Sequence, residues 1–519
     1  MRFRQILKYS LLGSACLSTA FSLRSNDYEI YSLGIVRLAR STIAVIDIAQ
    51  IYKKEVYYKK WDEKSEEYDE AKSRAHKYAA DRLLDLICKN KGVYIKVGQH
   101  IGGLQYLLPP EYVDTMKILH NDAPSNPIED LFKVVKQDLK KDVKDIFESF
   151  DPEPLGTASL AQVHKAKLKT GETVAVKIQH PYVKGNSLVD MKTMEILVKL
   201  MTFIFPDFNI QWLVDETKKN LPQELNFLKE GQNAEKVSLQ FSKYDWIKIP
   251  KIYWKFSTPR ILVMEFVEGG HVTDVEYIRK NKIDPFDIST KIGKLYSDMI
   301  FINGFVHSDP HPGNILVNKN SKGKSQIILL DHGLYAQLTD KFRYDYSNLW
   351  LSILRVDREG MKKHAVNLGI KDELYGLFVC MITGRPWESI MKGLDRTKKT
   401  AEERKQIQRD TQKVLPQIAV VLAQVDRQML LIMKTNDLIR GIETTLKTHN
   451  RMTALWVMSK CCTKSSFAEE RKKSNYHGIK KFQLFMEENW AILKLNLYYI
   501  YLGIKNFSLI SSLKQIYFQ

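Results

Sequence analysis

The sequence predicts an α+β fold of two lobes, a small strand-rich lobe followed by a larger helix-rich one, with a helical extension before them and a helical tail after. Three observations predict it. A β-hairpin pattern, Val163 to Leu168 and Thr173 to Ile178 around the turn Lys169-Thr170-Gly171-Glu172, opens the strand-rich part. Helical periodicity takes over after Gly269-Gly270. Charged helical patterns without Pro fill the chain from about Tyr52 to Asn90, well before the first strand.

The elements follow in order. An apolar segment from Leu33 to Ile51 is interrupted by Arg37, Arg40 and Asp47, which favours an amphipathic helix over a membrane span. Gly92, Gly98 and Gly102-Gly103 punctuate a further helical stretch that Pro109-Pro110 closes. Glu129 to Phe150 reads as one amphipathic helix ended by Asp151-Pro152. After the hairpin, helices are expected over Leu188 to Phe203 and Leu213 to Ser238, and strands over Lys248 to Trp254 and Ile261 to Phe266. Short strands fit Ile315 to Val317 and Gln326 to Leu330, and Thr339 to Gln519 is mostly helix. The expected division is 1–25 as a targeting segment, 26–150 as the helical extension, 151–270 and 271–450 as the two lobes, and 451–519 as the tail.

Composition narrows the classes. The 519 residues carry a formal net charge of +19, which favours anionic partners: phosphates, anionic lipid or nucleic acid. No basic run interleaved with aromatics and no nucleic-acid motif occurs, so nucleic acid is not expected. The five cysteines are odd in number and form no C-x-x-C pair, which argues against a disulfide framework or a structural zinc site. Arg2, Arg4, Lys8 and Arg24 precede the first acid, Asp27, around the Ser-containing apolar stretch Tyr9 to Leu23. That is the pattern of a mitochondrial targeting segment; a secretory signal also fits the apolar stretch, but the cysteine usage does not. Membrane attachment near this end is expected, with a span and a surface contact both open.

The chemistry concentrates in His307-Ser308-Asp309-Pro310-His311-Pro312-Gly313-Asn314. Phosphoryl transfer needs a group to orient the nucleophile and ligands to hold metal against phosphate oxygens. Kinases use an Asp and, five positions later, a metal-binding Asn, and Asp309 and Asn314 have that spacing. Asp331-His332-Gly333 then stands where the kinase Asp-Phe-Gly supplies a second magnesium ligand, Asp331. His307 and His311 have the spacing of a zinc helix, but Pro310, Pro312 and Gly313 forbid a helix there.

Upstream, Gly156-Thr157-Ala158-Ser159-Leu160-Ala161-Gln162-Val163 aligns with the Gly-rich loop over nucleotide phosphates. Gly156 and Val163 are kept, while Ala158 and Ala161 fill two glycine positions beside Ser159. A Cβ at Ala158 limits close approach, so nucleotide should be held differently. Val174-Ala175-Val176-Lys177 supplies the phosphate-pairing Lys177, and Glu230 is its expected carboxylate partner. Glu265 to Val267, leaving the strand Ile261 to Phe266, would present backbone groups to the adenine.

Together these residues resemble the UbiB family of atypical kinases, also called the aarF-domain-containing kinases, over nearly the whole chain. Lys96-Val97-Gly98-Gln99, followed by Leu107-Leu108-Pro109-Pro110-Glu111-Tyr112, looks like the family's K-x-G-Q signature. The resemblance implies a bilobal protein-kinase-like fold whose extension folds over the active site. It implies gating roles for Lys96, Gly98, Gln99 and Glu224, the last in an E-x-D motif that reads Glu224-Leu225-Asn226 here. It also implies ATP or ADP with Mg²⁺, and a link to mitochondrial membrane lipid or cristae upkeep, or in relatives to ubiquinone. The sequence adds that few residues separate Asp331-His332-Gly333 from the helix near Thr339, and no Ala-Pro-Glu follows, so an ordinary peptide-docking activation segment has no room. Three readings follow: an occluded atypical kinase or ATPase at a mitochondrial membrane, a nucleotide-sensing scaffold without catalysis, and a small-molecule or lipid kinase. The tail from Phe482 to Gln519 would pack on the helix-rich lobe or lie on a membrane surface.

Overall fold

A computed structural model describes residues 34–62, 65–103, 108–120, 125–204, 211–392, 421, 424–448, 453–473 and 478–506. The expected targeting segment, 1–25, lies outside them, as does the part of the tail beyond 506. The chain divides into two compact units: residues up to Gln232 together with Lys251–Phe266, and Asn233–Pro250 together with Val267 onward.

The first unit begins with helices α1 (Gly34–Tyr52), α2 (Glu66–Asn90) and α3 (Val93–Gly102). The Ser65 hydroxyl accepts the Tyr68 N–H and three acids fill the first turn of α2, both favourable at a positive helix end. The arginine that makes α1 look amphipathic does not face solvent. Arg37 is buried and grips Asp190 through two hydrogen bonds of 2.6 Å. Among the described residues no helix is long and apolar enough to cross a membrane.

Helix α4 (Ile128–Leu139) is shorter than its sequence pattern. Lys140 turns left-handed at φ 55°, a one-turn helix Val143–Ile146 follows, and Phe147–Thr157 is strand β1 rather than the end of a helix. Phe147 and Phe150 are held by cross-strand pairing with Leu168 and Ala166 on β2 (Ala161–Leu168), so tertiary pairing overrides local periodicity. β3 (Thr173–Gln179) completes the expected hairpin, with Gly171 at φ 100° in the turn. Leu131, Val134 and Val135 of α4 pack on Val174, Val176, Ile178, Ile261 and Val263 of this sheet. Helices α5 (Val183–Ile204), α6 (Gln211–Glu224) and α7 (Phe227–Gln240) follow. Leu225-Asn226 breaks the single expected helix, and the Asn226 side chain accepts the Leu228 N–H at 3.2 Å, capping α7.

The expected strand Lys248 to Trp254 reduces to β4 (Ile247–Lys248), an isolated bridge from Ile252 to Met264, and a 3₁₀ turn at Trp254–Phe256. Pro250 deprives the middle of that run of a ladder donor. β5 (Ile261–Glu265) closes the antiparallel sheet of the first unit in the order β1-β2-β3-β5.

In the second unit β6 (Gly270–His271) precedes the buried helix α8 (Pro285–Ser297). Strands β7 (Phe305–His307), β8 (Ile315–Lys319), β9 (Ser325–Leu329) and β10 (Tyr335–Gln337) form two sheets, β4-β9-β8-β6 and the pair β10-β7. Thr339 caps α9 (Asp340–Arg355), and α10 (Arg427–Thr445), α11 (Thr453–Lys473) and α12 (Ile479–Asn506) complete the described tail. The core runs from Val272 and α8 through β8 and β9 to Tyr346, Phe378 and Ile432. The first unit thus carries a four-stranded sheet with the helical extension built into it, and the second is rich in helix.

Candidate active site

In the first unit, Lys177 lies on the central strand β3, where paired neighbours on both sides fix its backbone. Its Nζ is 2.6 Å from Glu230 Oε1 and 2.9 Å from Oε2. Glu230 is buried on the first turn of α7, where a carboxylate is favoured by the helix dipole. The pair thus fixes the direction of the Lys177 ammonium, a positive charge of the kind that attracts phosphate oxygens.

The Gly156–Val163 segment is not an open loop. Gly156 and Thr157 end β1, Ala161 begins β2, and the turn between them is closed by Ala158 N–H donating to Ala161 O at 2.8 Å. Ser159, Leu160 and Ala161 are buried. A Cβ at Gly156 would meet nothing within 4 Å, so no crowding demands glycine there. His180, which sequence reasoning missed, pins the turn: its backbone N–H donates to Leu160 O at 2.9 Å and its Nε2 to Ala158 O at 3.1 Å. Val163 faces Gly156 on one side and Lys177 on the other. At the expected hinge, Glu265 N–H is committed to Lys251 O and Phe266 N–H to Thr173 O. Those two donors are therefore not the ones that could meet an adenine; Val267 begins the second unit.

The K-x-G-Q residues sit on α3. Lys96 is buried and its Nζ lies 2.9 Å from Glu224 Oε2 at the end of α6. Gln99 Nε2 donates to Leu119 O at 2.9 Å. Gly98 is required by close packing, since a Cβ there would fall 2.4 Å from Leu119 Cδ1 and 3.0 Å from Ile87 Cδ1. The structure thus joins Lys96 to Glu224, two residues grouped by resemblance alone.

In the second unit, His307 ends β7 and is buried. Its Nδ1 accepts the Asp309 N–H at 3.2 Å and its Nε2 lies 3.0 Å from Asp331 O. One tautomer, protonated on Nε2, satisfies both bonds. Through this ring the Asp309 and Asp331 backbones are held together. Asn314 closes a 3₁₀ turn, and its O accepts Leu330 N–H at 3.0 Å. Its Nδ2 lies 3.4 Å from Asp331 Oδ2, while Asp331 Oδ1 accepts the Gly333 N–H at 2.9 Å. His332 is buried, bonds Tyr335 OH through Nδ1 at 3.0 Å, and stacks on that ring. Tyr335 pairs with His307 across β10 and β7 and stacks on Phe305 at 4.5 Å. Asn233 donates to His332 O. Neither Tyr335 nor Asn233 carries a sequence signal beyond proximity to Asp331-His332-Gly333.

The donors fit a hard cation. Asn314 and Asp331 offer amide and carboxylate oxygen, and magnesium takes one or two such ligands with phosphate oxygens and water. Among the described residues no group of three or more His, Cys, Asp or Glu is placed to hold a metal.

The model of the ABC1 atypical kinase-like domain matches residues 118–365. The chain is 63% identical over 517 residues to AarF domain-containing kinase 1 of Drosophila melanogaster, covering 99% of this chain and all of that protein. It is 46% identical to AarF domain-containing protein kinase 1 of Mus musculus, over 97% of this chain and 95% of that one. It is 34% identical to ABC1 family protein MCP2 of Saccharomyces cerevisiae, over 95% and 91%. Among solved structures it is similar to the Rv3197–erythromycin complex from Mycobacterium tuberculosis, with 21% identity, 72% of this chain and 95% of that chain covered, and a TM-score of 0.44.

Proposed function

The chain belongs to the family of ABC1 atypical kinases, and from that premise we propose that it binds magnesium-nucleotide and cleaves or transfers the terminal phosphoryl group. The observation that carries the reading is the joint placement of Asp309, Asn314 and Asp331 around His307. In it, Lys177, oriented by Glu230, pairs the α- and β-phosphates. Asn314 and Asp331 hold the magnesium, which supplies charge neutralisation on the phosphate oxygens when bound. Asp309, its main chain set by His307, orients an attacking hydroxyl or water.

The acceptor is not a docked peptide in this reading. β10 begins two residues after Gly333 and α9 begins at Asp340, so the chain offers no activation segment for one. The acceptor is water, a small molecule or a lipid. The site of action is a mitochondrial membrane, where the protein serves lipid or cristae upkeep. Support comes from the basic, acid-free residues 1–25 and from α12, on which Phe482, Met486, Trp490, Leu493, Leu497 and Ile500 are exposed at helical spacing. Exposed Lys480, Lys481 and Lys494 accompany that stripe, as an anionic lipid surface requires.

The test is release of phosphate from ATP by purified protein with magnesium, at several nucleotide concentrations. Asp309→Asn should abolish turnover while nucleotide binding persists, and Lys177→Met should weaken binding itself. Turnover that survives Asp309→Asn would remove Asp309 from the mechanism. Binding without any turnover in the wild type would favour the non-catalytic nucleotide sensor.

A further inference from the structure

Helix α1 lacks the charged outer face of an ordinary surface helix. Ile35, Leu38, Ile43 and Ile46 are exposed along it, and helical spacing puts them in one arc with Ala39, Thr42 and Gln50. No charge enters that arc before Lys53. The opposite side of α1 is packed: Arg37, Ser41 and Ala44 are buried, Arg37 on Asp190 and Ser41 on the Tyr94 hydroxyl. A helix that is apolar on its outer side as well needs a cover there.

Helix α5 continues this face and gives it a charge. A Cβ on Gly34 would fall 2.8 Å from Val189 Cγ1, so the start of α1 lies against α5. The Arg37–Asp190 pair joins the same two helices one turn further on. Leu188, beside that contact, is 79% exposed, and Ile196 follows two turns later, also exposed. Lys184, Lys192 and Lys199 stand in the same row and are exposed. The carboxylate in that row, Glu195, is held between Lys199 at 3.0 Å and Lys218 at 3.4 Å. Past the far end of α1, the turn Lys53–Tyr57 exposes Tyr57 and, next to it, Tyr58. Exposed Lys53, Lys54, Lys59 and Lys60 flank those rings, and Glu55 is the one acid from 53 to 60.

The charge decides between occupants. A second copy, docked by a two-fold axis, would set this cationic face against itself. An anionic bilayer surface matches every part of it. Aliphatic side chains reach the acyl boundary, tyrosines sit at headgroup level, and lysines lay their stems on the apolar surface while their ammonium groups meet phosphates. We infer that α1, α5 and the turn at Tyr57 and Tyr58 lie on the surface of an anionic phospholipid bilayer, with α1 in the plane of that surface. The contact is an interfacial one and crosses nothing. It deepens the membrane reading given above and rests on it for the presence of a bilayer, but it stands on different residues in a different unit from α12.

The experiment is flotation of the full-length protein with phosphatidylcholine vesicles, with and without phosphatidylglycerol. Wild type should float with the anionic vesicles and less as salt rises. Ile43→Ser with Leu188→Ser keeps every charge and should lower partitioning by about tenfold. Lys184→Gln with Lys192→Gln should lower it by about tenfold or more. Circular dichroism checks folding, and Leu188→Ser alone, expected to lower partitioning about threefold, replaces the serine pair if that variant unfolds. Wild type and serine variant floating equally would overturn the inference and leave α12 as the membrane contact. Loss in the serine variant, with Trp490→Glu plus Leu493→Glu still afloat, would support it without α12. A wild type that floats with neither vesicle would overturn both this inference and the membrane reading. Hydroxyl-radical footprinting reads what covers the face. Ile35, Leu188 and Ile196 should be oxidised freely without lipid and protected on anionic vesicles. Protection in a lipid-free monomer would assign the cover to residues 1–33 of the same chain, and protection in a dimer seen by sedimentation would assign it to a second copy. Either result overturns the inference.

Discussion

Lys96 Nζ sits 2.9 Å from Glu224 Oε2, with the two side chains only 9% and 10% exposed. A pair so withdrawn from water is costly to break, because the survivor keeps a buried charge and loses this partner. Lys96→Ala or Glu224→Ala should each destabilise the first unit by about 3–5 kcal/mol. Lys96→Met with Glu224→Leu should recover most of that loss. Urea unfolding of these proteins and of Lys96→Ala with Glu224→Ala measures the coupling; single effects that add in that Ala double would mean the two side chains act independently.

The metal assignment separates from the fold at Asp331. Asp331→Asn keeps an oxygen for the Gly333 N–H and removes the charge. Its stability without ligand should stay near that of wild type. Wild type at a hundredfold excess of magnesium-nucleotide over Kd should gain about 2.7 kcal/mol, and Asp331→Asn should lose the magnesium-dependent part of that gain. Thermal unfolding with nucleotide, with and without magnesium, reads both.

A pH dependence follows from His180. Its folded-state value, about 4, lies below the ordinary value of 6.5, so the unfolded chain binds the proton more readily between the two. The neutral ring's contribution is fully present above pH 6.5 and is lost as pH falls toward 4. Over that window wild type should lose about 3 kcal/mol that His180→Phe does not. His76 and His164, also held down by burial, are common to both proteins and cancel in the difference. Denaturant titrations at pH 7, 5.5 and 4.5 measure it, and parallel curves would deny His180 this role.

Trp490→Glu with Leu493→Glu interrupts the exposed stripe of α12 without touching the Arg471–Glu488 ion pair that ties α12 to α11. Each buried apolar side chain contributes about 1.5–3 kcal/mol. Partitioning onto anionic vesicles should fall by about tenfold or more, with the thermal midpoint unchanged. Equal flotation of both proteins would assign the stripe to another occupant.

Much of the second unit's site was legible in the sequence because its members lie close together. Asp309 and Asn314 are separated from Asp331 by a hairpin whose strands announce themselves, and backbone pairing then brings its two ends together. Lys177 and Glu230 were legible for a different reason: each sits where a strand or a helix start dictates its direction. What stayed hidden depends on distant packing. Arg37 looked like the polar face of a surface helix, yet its partner Asp190 is 153 positions away. Phe147 and Phe150 read as a helix end because their spacing suits one, and only pairing with β2 makes them a strand. Asn226 looked like a lost charge in a family motif; in the fold it is a helix cap, a task that Asn and Asp perform about equally well.

The brief return from Asp331 to α9 bears on control. Protein kinases are commonly switched by a phosphate added beyond their Asp-Phe-Gly, and an arginine next to the catalytic Asp can receive it. Between Asp331 and Leu338 the one hydroxyl side chain is Tyr335, which is bonded to His332 Nδ1, and Ser308 occupies the arginine's place. The receiver is replaced, and the loop at Asp309 is set by His307 instead. A phosphate placed on this stretch would meet a serine, not an arginine, beside Asp309, and the ring of His307 already ties that loop to Asp331.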